Sequence, residues 1–334
     1  MEDIEIRLPS KPTAPLQASL YLPPTPSSTL IVFLNGLILP RTAWSETIDH
    51  LLFSSGQQDP FPHAILTYDR FGQGTSPSDP ADPPSTPYGH DALTIIADLH
   101  SLLTEVIHTR ICQSPPHLNL ILVCSSIGCP LSRLYASAYH SEHEIAGYIF
   151  LDSMMANTDF VSLFPDPSSP DFDPSQLPEG ITPSDVEHAR SRFRDIFHPD
   201  VGNPERFDRR RLREQLPFPD EPKLPTLAAR NGEEDETEPW LVVVGHDPET
   251  FAEQCEKVNV RPPTIRSFGS TLVAQCRKFD WLTLLAGSFV GVKDLDKRLR
   301  ESFMEVLQRG SCLPCSHQLR AQSRSRLWSL YPKG

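Results

Sequence analysis

The chain has 334 residues, a formal net charge of −13 at pH 7, 38% hydrophobic residues and 35 prolines. Its length suits one large α/β domain with an insertion, or two domains. The acidic balance disfavours nucleic acid or an anionic membrane surface as partner, and no window approaches the ~18 consecutive apolar residues of a membrane span. Proline usage is about twice the average, concentrated in stretches that read as long connections around a folded core. Seven cysteines without regular spacing suggest reduced thiols and a cytoplasmic setting. The start Met1-Glu2-Asp3-Ile4-Glu5 is acidic and lacks the apolar centre of a signal peptide.

Residues 4–22 alternate apolar and polar, as in Ile4-Glu5-Ile6-Arg7-Leu8, and predict two antiparallel strands. Thr29 to Leu34 reads as a buried strand ended by Asn35-Gly36-Leu37, followed by a helix with Trp44, Ile48, Leu51 and Leu52 on one face. A strand at Ala64–Tyr68 runs into Asp69-Arg70-Phe71-Gly72-Gln73-Gly74-Thr75-Ser76. A helix with the stripe Leu93, Ile96, Ala97, Leu99, Leu103, Val106 and Ile107 comes next. Strands at 120–123 and at Ile145–Leu151 follow. Strands alternating with helices imply a mostly parallel sheet covered on both faces, so the class is α/β.

The most informative stretch is Leu120-Ile121-Leu122-Val123-Cys124-Ser125-Ser126-Ile127-Gly128, with a helical pattern from Leu131. A small-x-Ser-x-Gly string between a strand and a helix is the context of a nucleophile elbow. The tightness of that turn requires small residues two before and two after the nucleophile, here Cys124 and Gly128. Ser126 is the candidate nucleophile, and the N–H of Ile127 and the start of the helix face the oxyanion that would form. A serine-capped strand end is the plainer account of the same residues.

Four blocks in order resemble the α/β-hydrolase family of lipase/esterase-like, fold-1 type. They are Phe33-Leu34-Asn35-Gly36-Leu37 (where the family commonly has His-Gly), Tyr68 to Ser76, the elbow, and Ile149-Phe150-Leu151-Asp152. The resemblance implies a mostly parallel α/β-hydrolase sheet flanked by helices and a Ser-His-Asp triad, with the N–H groups of Leu37 and Ile127 as oxyanion hole. A serine mechanism of that kind needs no cofactor, and no metal is expected. It divides the chain into a first core part at 1–153, a cap or lid insertion at 154–238, a second core part at 239–309 and an atypical basic tail at 310–334.

In the insertion, segments Ser184–Phe197 and Arg206–Gln215 read as helical. Phe160, Leu163, Phe164, Phe193, Ile196 and Phe197 line an acyl pocket or simply pack on the core. Arg209-Arg210-Arg211 meets an anionic substrate or forms a solvated face. A buried strand, Trp240 to Gly245, precedes His246-Asp247-Pro248. By the resemblance Asp247 is the acid that orients the histidine; it would equally cap the next helix, and Asp152 is the fallback acid.

The pattern departs from the family at the general base, which in this chain order comes last. No strand ending in a Gly-His-Phe-like string follows Asp247. His317, in Cys312-Leu313-Pro314-Cys315-Ser316-His317, is the only later histidine, and His246 is the other candidate. Residues 291–334 hold nine Lys/Arg against four Asp/Glu, and no clear element follows Gly310. A gene-model error is one account of that ending. Cys312 and Cys315 with His317 lack the second pair that makes a zinc site.

Two functions stand at this point. One is a hydrolase of an ester, thioester or related acyl bond in a small molecule, acting through an acyl-enzyme on Ser126 with Asp247 and His317. The other is an inactive member of the fold that binds a ligand or partner, or a truncated product lacking the base. An aspartate-nucleophile, halide-type chemistry is disfavoured by the serine.

Overall fold

The computed structural model describes residues 1–53, 60–111, 118–151, 238–246 and 319–321, together with 159–226 apart from 160, 163, 178–179 and 219–220. Two edge strands come first, β1 (Glu2–Arg7) and β2 (Pro15–Tyr21), followed by β3 (Thr29–Leu34). Helix α1 (Ser45–Phe53) leads to β4 (Ala64–Tyr68), and α2 (Ala92–Val106) to β5 (Asn119–Ser125). Helix α3 (Gly128–Tyr139) leads to β6 (Glu144–Leu151), and β7 (Trp240–His246) follows the insertion. A three-residue strand, β8 (Leu319–Ala321), pairs antiparallel with β7, so a short element does follow Gly310.

The sheet order is β1-β2-β4-β3-β5-β6-β7-β8. Strands β3 to β7 are parallel, and β1, β2 and β8 pair antiparallel.

Side-chain alternation explains this division. In β3, Leu30, Val32 and Leu34 face one apolar layer and Ile31 and Phe33 the other; in β5, Leu120, Leu122 and Cys124 oppose Ile121 and Val123. The first layer is closed by α2 and α3, and the second by Trp44, just before α1, and by Ile48 and Leu51 along it. Central strands buried on both faces therefore read as unbroken apolar runs. In β1 and β2 only Ile4, Ile6, Leu16, Ala18 and Leu20 join the core, all on the first layer, which is why these strands alternate. In α2 the core face is Ile95, Ile96, Leu99, Leu102, Leu103 and Val106, whereas Leu93 is exposed, contrary to the stripe expected from sequence.

Glycine at 147 is required by packing across β6 and β7. A Cβ there would stand 1.9 Å from the Trp240 ring, which lies over that position.

The connection β3–α1–β4 steps to one side of β3, and β4–α2–β5 returns to the other. The carboxyl ends of β3 and β5 therefore diverge at a topological switch point, where open α/β sheets place their ligands. Asn35-Gly36-Leu37 leaves β3 at that point, and Ser126 leaves β5.

The insertion contains α4 (Pro183–Phe197), whose start carries a reciprocal capping box of Thr182 and Asp185 with Pro183 in the first turn. Of the segment 206–215, only α5 (Leu212–Gln215) is helical. Arg206 has φ +61°, which a helix does not admit.

Candidate active site

At the end of β5 the chain reverses through Ser126, at φ +50°. A serine in the left-handed region is strained, and the surroundings fix it there. Its N–H donates to the Leu151 carbonyl at 3.0 Å, and its own carbonyl accepts from the Cys129 N–H at 3.0 Å. Ser126 is half-buried, between buried Ser125 and Ile127. Helix α3 begins two residues later, so its positive end points back at this turn.

Gly128 allows the turn. A Cβ there would lie 2.6 Å from the Leu34 carbonyl oxygen at the end of β3. Cys124, at the other small position, is fully buried and pairs in register with Leu34 and Phe150. Burial pushes its thiol up to about 12, so it is no nucleophile at neutral pH.

The facing loop is held by the turn after β4. Asn35 donates to the Tyr68 carbonyl at 2.7 Å and to Gln73 Oε1 at 2.9 Å, and accepts from Trp44 Nε1 at 2.7 Å. Arg70 donates to the Asn35 and Gly36 carbonyls, both at 2.8 Å. Gln73 Nε2 donates to the Gly36 carbonyl at 2.9 Å. Ile38 sits at φ +57° with its side chain exposed, and Leu37 between is half-buried.

Asp69, Gly74, Thr75 and Ser76 close the turn that follows β4. Buried Asp69 accepts from the Arg41 N–H at 2.5 Å, Arg41 Nη1 at 2.6 Å and the Thr75 N–H at 3.1 Å. Gly74, at φ +53°, lies where a Cβ would stand 2.4 Å from that carboxylate. The Ser76 hydroxyl donates to the Asp69 carbonyl at 2.7 Å and accepts from the Gln17 N–H at 2.9 Å.

One residue of this neighbourhood has no sequence signal. Glu205, from the insertion, is 1% exposed and pairs with Arg70 at 3.0 Å, although the two are 135 positions apart. The Arg70 and Gln73 motif marks the core side of the cluster; the charged, proline-rich segment around Glu205 reads as surface.

Of the expected site residues, Ser126 and Ile127 lie on the elbow after β5 and Leu37 in the loop after β3, at the carboxyl ends of two neighbouring parallel strands. Asp247, Asp152 and His317 lie outside the described residues, as do Cys312 and Cys315. Strand β7 is parallel to β5 and β6 and ends at His246, so its carboxyl end lies at the same end of the sheet as the elbow. The pairing of β8 begins with Leu319 opposite His246, two residues after His317. Described histidines with fixed partners lie elsewhere: His90 by Asp82, His100 by Glu142, and His198 by Asp159 and Asp200.

In the insertion, Phe164 and Phe193 are buried against each other with ring centres 4.8 Å apart, and Phe197 is partly exposed beside Phe193. Phe160 and Leu163 lie outside the described residues, and so does the Ile196 side chain. Arg209 is buried and donates to the carbonyls of Phe197, His198 and Val201, so it serves neither a solvated face nor an open anion site. Arg210 stacks on Tyr88 at 3.8 Å and pairs with Asp208.

Among the described residues, metal-type donors gather at Asp79, Asp82 and His90. A cation is already built in there: Lys11 Nζ is 2.6 Å from Asp79 and 2.7 Å from Asp98. No helix among the described residues is long and apolar enough to cross a membrane.

The match to a protein family agrees with this architecture. The model of the alpha/beta hydrolase family matches residues 31–287. A probable hydrolytic enzyme from Pseudomonas aeruginosa PAO1 is similar at 16% identity, over 48% of this chain and 44% of that one, with a TM-score of 0.34. An alpha/beta hydrolase from Novosphingobium aromaticivorans DSM 12444 is similar at 18% identity, over 48% and 47%, with a TM-score of 0.36. Alpha/beta hydrolase domain-containing protein 10 from mouse is similar at 18% identity, over 48% and 53%, with a TM-score of 0.32. The chain thus spans about half the length of these solved structures. No curated protein matches the sequence.

Proposed function

The chain belongs to the alpha/beta hydrolase family, and from that membership we propose that it is a serine hydrolase cleaving an ester, thioester or related acyl bond in a small molecule. The observation that carries the reading is Ser126 at φ +50°, on a tight turn between the diverging ends of β3 and β5 with a helix starting behind it. Strain of that kind is maintained by surrounding structure and concentrates at functional sites.

In this reading the Ser126 hydroxyl loses its proton to a histidine and attacks the acyl carbon. The N–H groups of Leu37 and Ile127 receive the oxyanion, and collapse of the tetrahedral intermediate expels the alcohol or thiol, protonated by the same histidine. Water, activated by that histidine, then attacks the acyl-enzyme and restores Ser126. Asp247 accepts the Nδ1–H of the histidine, fixes its tautomer and stabilises the imidazolium. His317 is the proposed base. In support of it, the chain enters β8 beside His246 two residues after His317.

The test is covalent labelling of the full chain with a fluorophosphonate, followed by peptide mapping. Rapid modification confined to Ser126, lost in Ser126→Ala and strongly slowed in His317→Ala, is expected. A folded protein that stays unmodified removes this reading in favour of an inactive, ligand-binding member of the fold. The sequence observation behind that second reading is the missing Gly-His-Phe-like ending.

A further inference from the structure

The insertion between β6 and β7 reaches into the core through one carboxylate. Glu205 accepts from Arg70 Nε at 3.1 Å, from Arg70 Nη2 at 3.0 Å, from Gln73 Nε2 at 3.0 Å and from the backbone N–H of Ile38. The same Arg70 and Gln73 side chains donate to the Gly36 carbonyl, at 2.8 and 2.9 Å. That carbonyl and the Leu37 N–H belong to one planar trans peptide and point in opposite directions. Holding the Gly36 oxygen toward Arg70 therefore aims the Leu37 N–H the other way. The next peptide is held as well, because its Ile38 N–H is bonded to Glu205.

Glu205 is itself firmly seated. Gly72, at φ +76°, lets the backbone of Glu205 approach so closely that a Cβ on the glycine would stand 2.9 Å from the Glu205 carbonyl oxygen. Its neighbour Arg206 donates to the Thr86 carbonyl at 2.7 Å and accepts from the Gly89 N–H at 2.6 Å. Asp208 donates its N–H to the His90 carbonyl at 2.8 Å. The segment carrying Glu205 is thus pinned to the loop before α2.

We propose that Glu205 is a positioning residue: through Arg70, Gln73 and the Ile38 N–H it fixes the Gly36–Leu37 peptide in the orientation that presents the Leu37 N–H as an oxyanion donor. The catalytic consequence rests on the hydrolase reading above; the orientation itself does not. The insertion is then part of the support of the oxyanion loop as well as a cover on the sheet. A core without it would leave Arg70 buried and without its carboxylate partner.

The experiment is Glu205→Gln in the full chain. Amide hydrogen exchange is followed in peptides covering 34–40 and 119–125, with turnover of p-nitrophenyl butyrate and fluorophosphonate labelling of Ser126 in parallel. Exchange at 34–40 is expected to rise about tenfold with 119–125 unchanged. In an active protein kcat is expected to fall about 10- to 100-fold at unchanged KM, because the lost interaction is made to the oxyanion. If Glu205→Gln fails to fold, the double replacement Arg70→Met with Glu205→Met, which leaves no unpaired buried charge, is read the same way. Wild-type exchange at 34–40 in a folded variant overturns the proposal whatever the turnover. A loosened loop with unchanged kcat in an active protein overturns it too. A wild type inert to the ester and the probe, with 34–40 loosened in the variant, upholds the positioning role and removes the hydrolase reading alone.

Discussion

Gly128 and Leu34 approach so closely that a methyl group on the glycine would stand 2.6 Å from the leucine's carbonyl oxygen. The obstacle is backbone at the end of a central strand, so it cannot swing aside as a side chain would. Gly128→Ala therefore has to push the elbow away from β3 and separate Ile127 from Leu37. A displacement of about 1 Å at such a site costs on the order of a hundredfold in rate, and overpacking a core costs about 1–3 kcal/mol. We expect Gly128→Ala to slow fluorophosphonate labelling of Ser126 at least tenfold and to lower the urea midpoint. Wild-type stability and labelling together would contradict the close approach.

The Asp69 carboxylate organises the turn that follows β4. It is buried and receives the Arg41 N–H, the Arg41 guanidinium and the Thr75 N–H. Asp69→Asn keeps the size but turns one acceptor into a donor among donors and removes the partner of a largely buried guanidinium. A loss of about 3 kcal/mol in urea unfolding is expected, from the cost of breaking a buried pair. A loss below about 1 kcal/mol would mean that Arg41 is adequately solvated without it.

Much of this architecture was legible in the sequence because parallel strands buried on both sides leave continuous apolar runs such as Leu120 to Val123. The elbow was legible for a local reason: a tight turn constrains residues 124 and 128 directly. What escaped depends on tertiary placement, which local pattern does not carry. Glu205 answers Arg70 from 135 positions away, in a segment whose composition resembles solvent-exposed loop. Arg209, in a run of three arginines, is spent on three backbone carbonyls of the insertion. Leu93 was misplaced because it belongs to the apolar residues of α2 but lies in the first turn, where it faces solvent. Asp247 and His317 lie outside the described residues, so their assignment still rests on chain order and resemblance.

Lys11 lies at the centre of an internal charge cluster, 8% exposed and bonded to Asp79 and Asp98, with His90 and Asp82 alongside. Burial raises the Asp98 carboxyl above its ordinary range, and Lys11 opposes that rise. In Lys11→Met the opposition is gone and the carboxyl rises further. An acid whose folded pKa exceeds its unfolded value contributes stability at low pH and loses it as pH rises through that interval. Lys11→Met is thus expected to cost about 3 kcal/mol at pH 7 and less at about pH 5. Paired urea titrations of wild type and variant at the two pH values measure this, and a deficit that grows on acidification would sink it.

Alkaline pH probes the floor of the elbow. The Cys124 thiol is pushed by burial from 9.0 to about 12, and burial raises the nearby Tyr68, Tyr135 and Tyr148 hydroxyls as well. A thiol that stays neutral in the folded protein but ionises at its ordinary value when unfolded contributes stability below 9.0, which is lost as pH climbs toward about 12. The effect is on the order of a few kcal/mol, since each unit of displacement corresponds to about 1.4 kcal/mol. Cys124→Ala removes that contribution and substitutes a small residue of the kind the elbow requires. The variant is expected to lose less stability than wild type between pH 8 and pH 11, by about 2–3 kcal/mol in urea unfolding. The tyrosines remain in both proteins and supply the shared part of the decline. Parallel curves for the two proteins across that range would show that the thiol ionises no differently folded than unfolded, and that the position beneath Ser126 admits water.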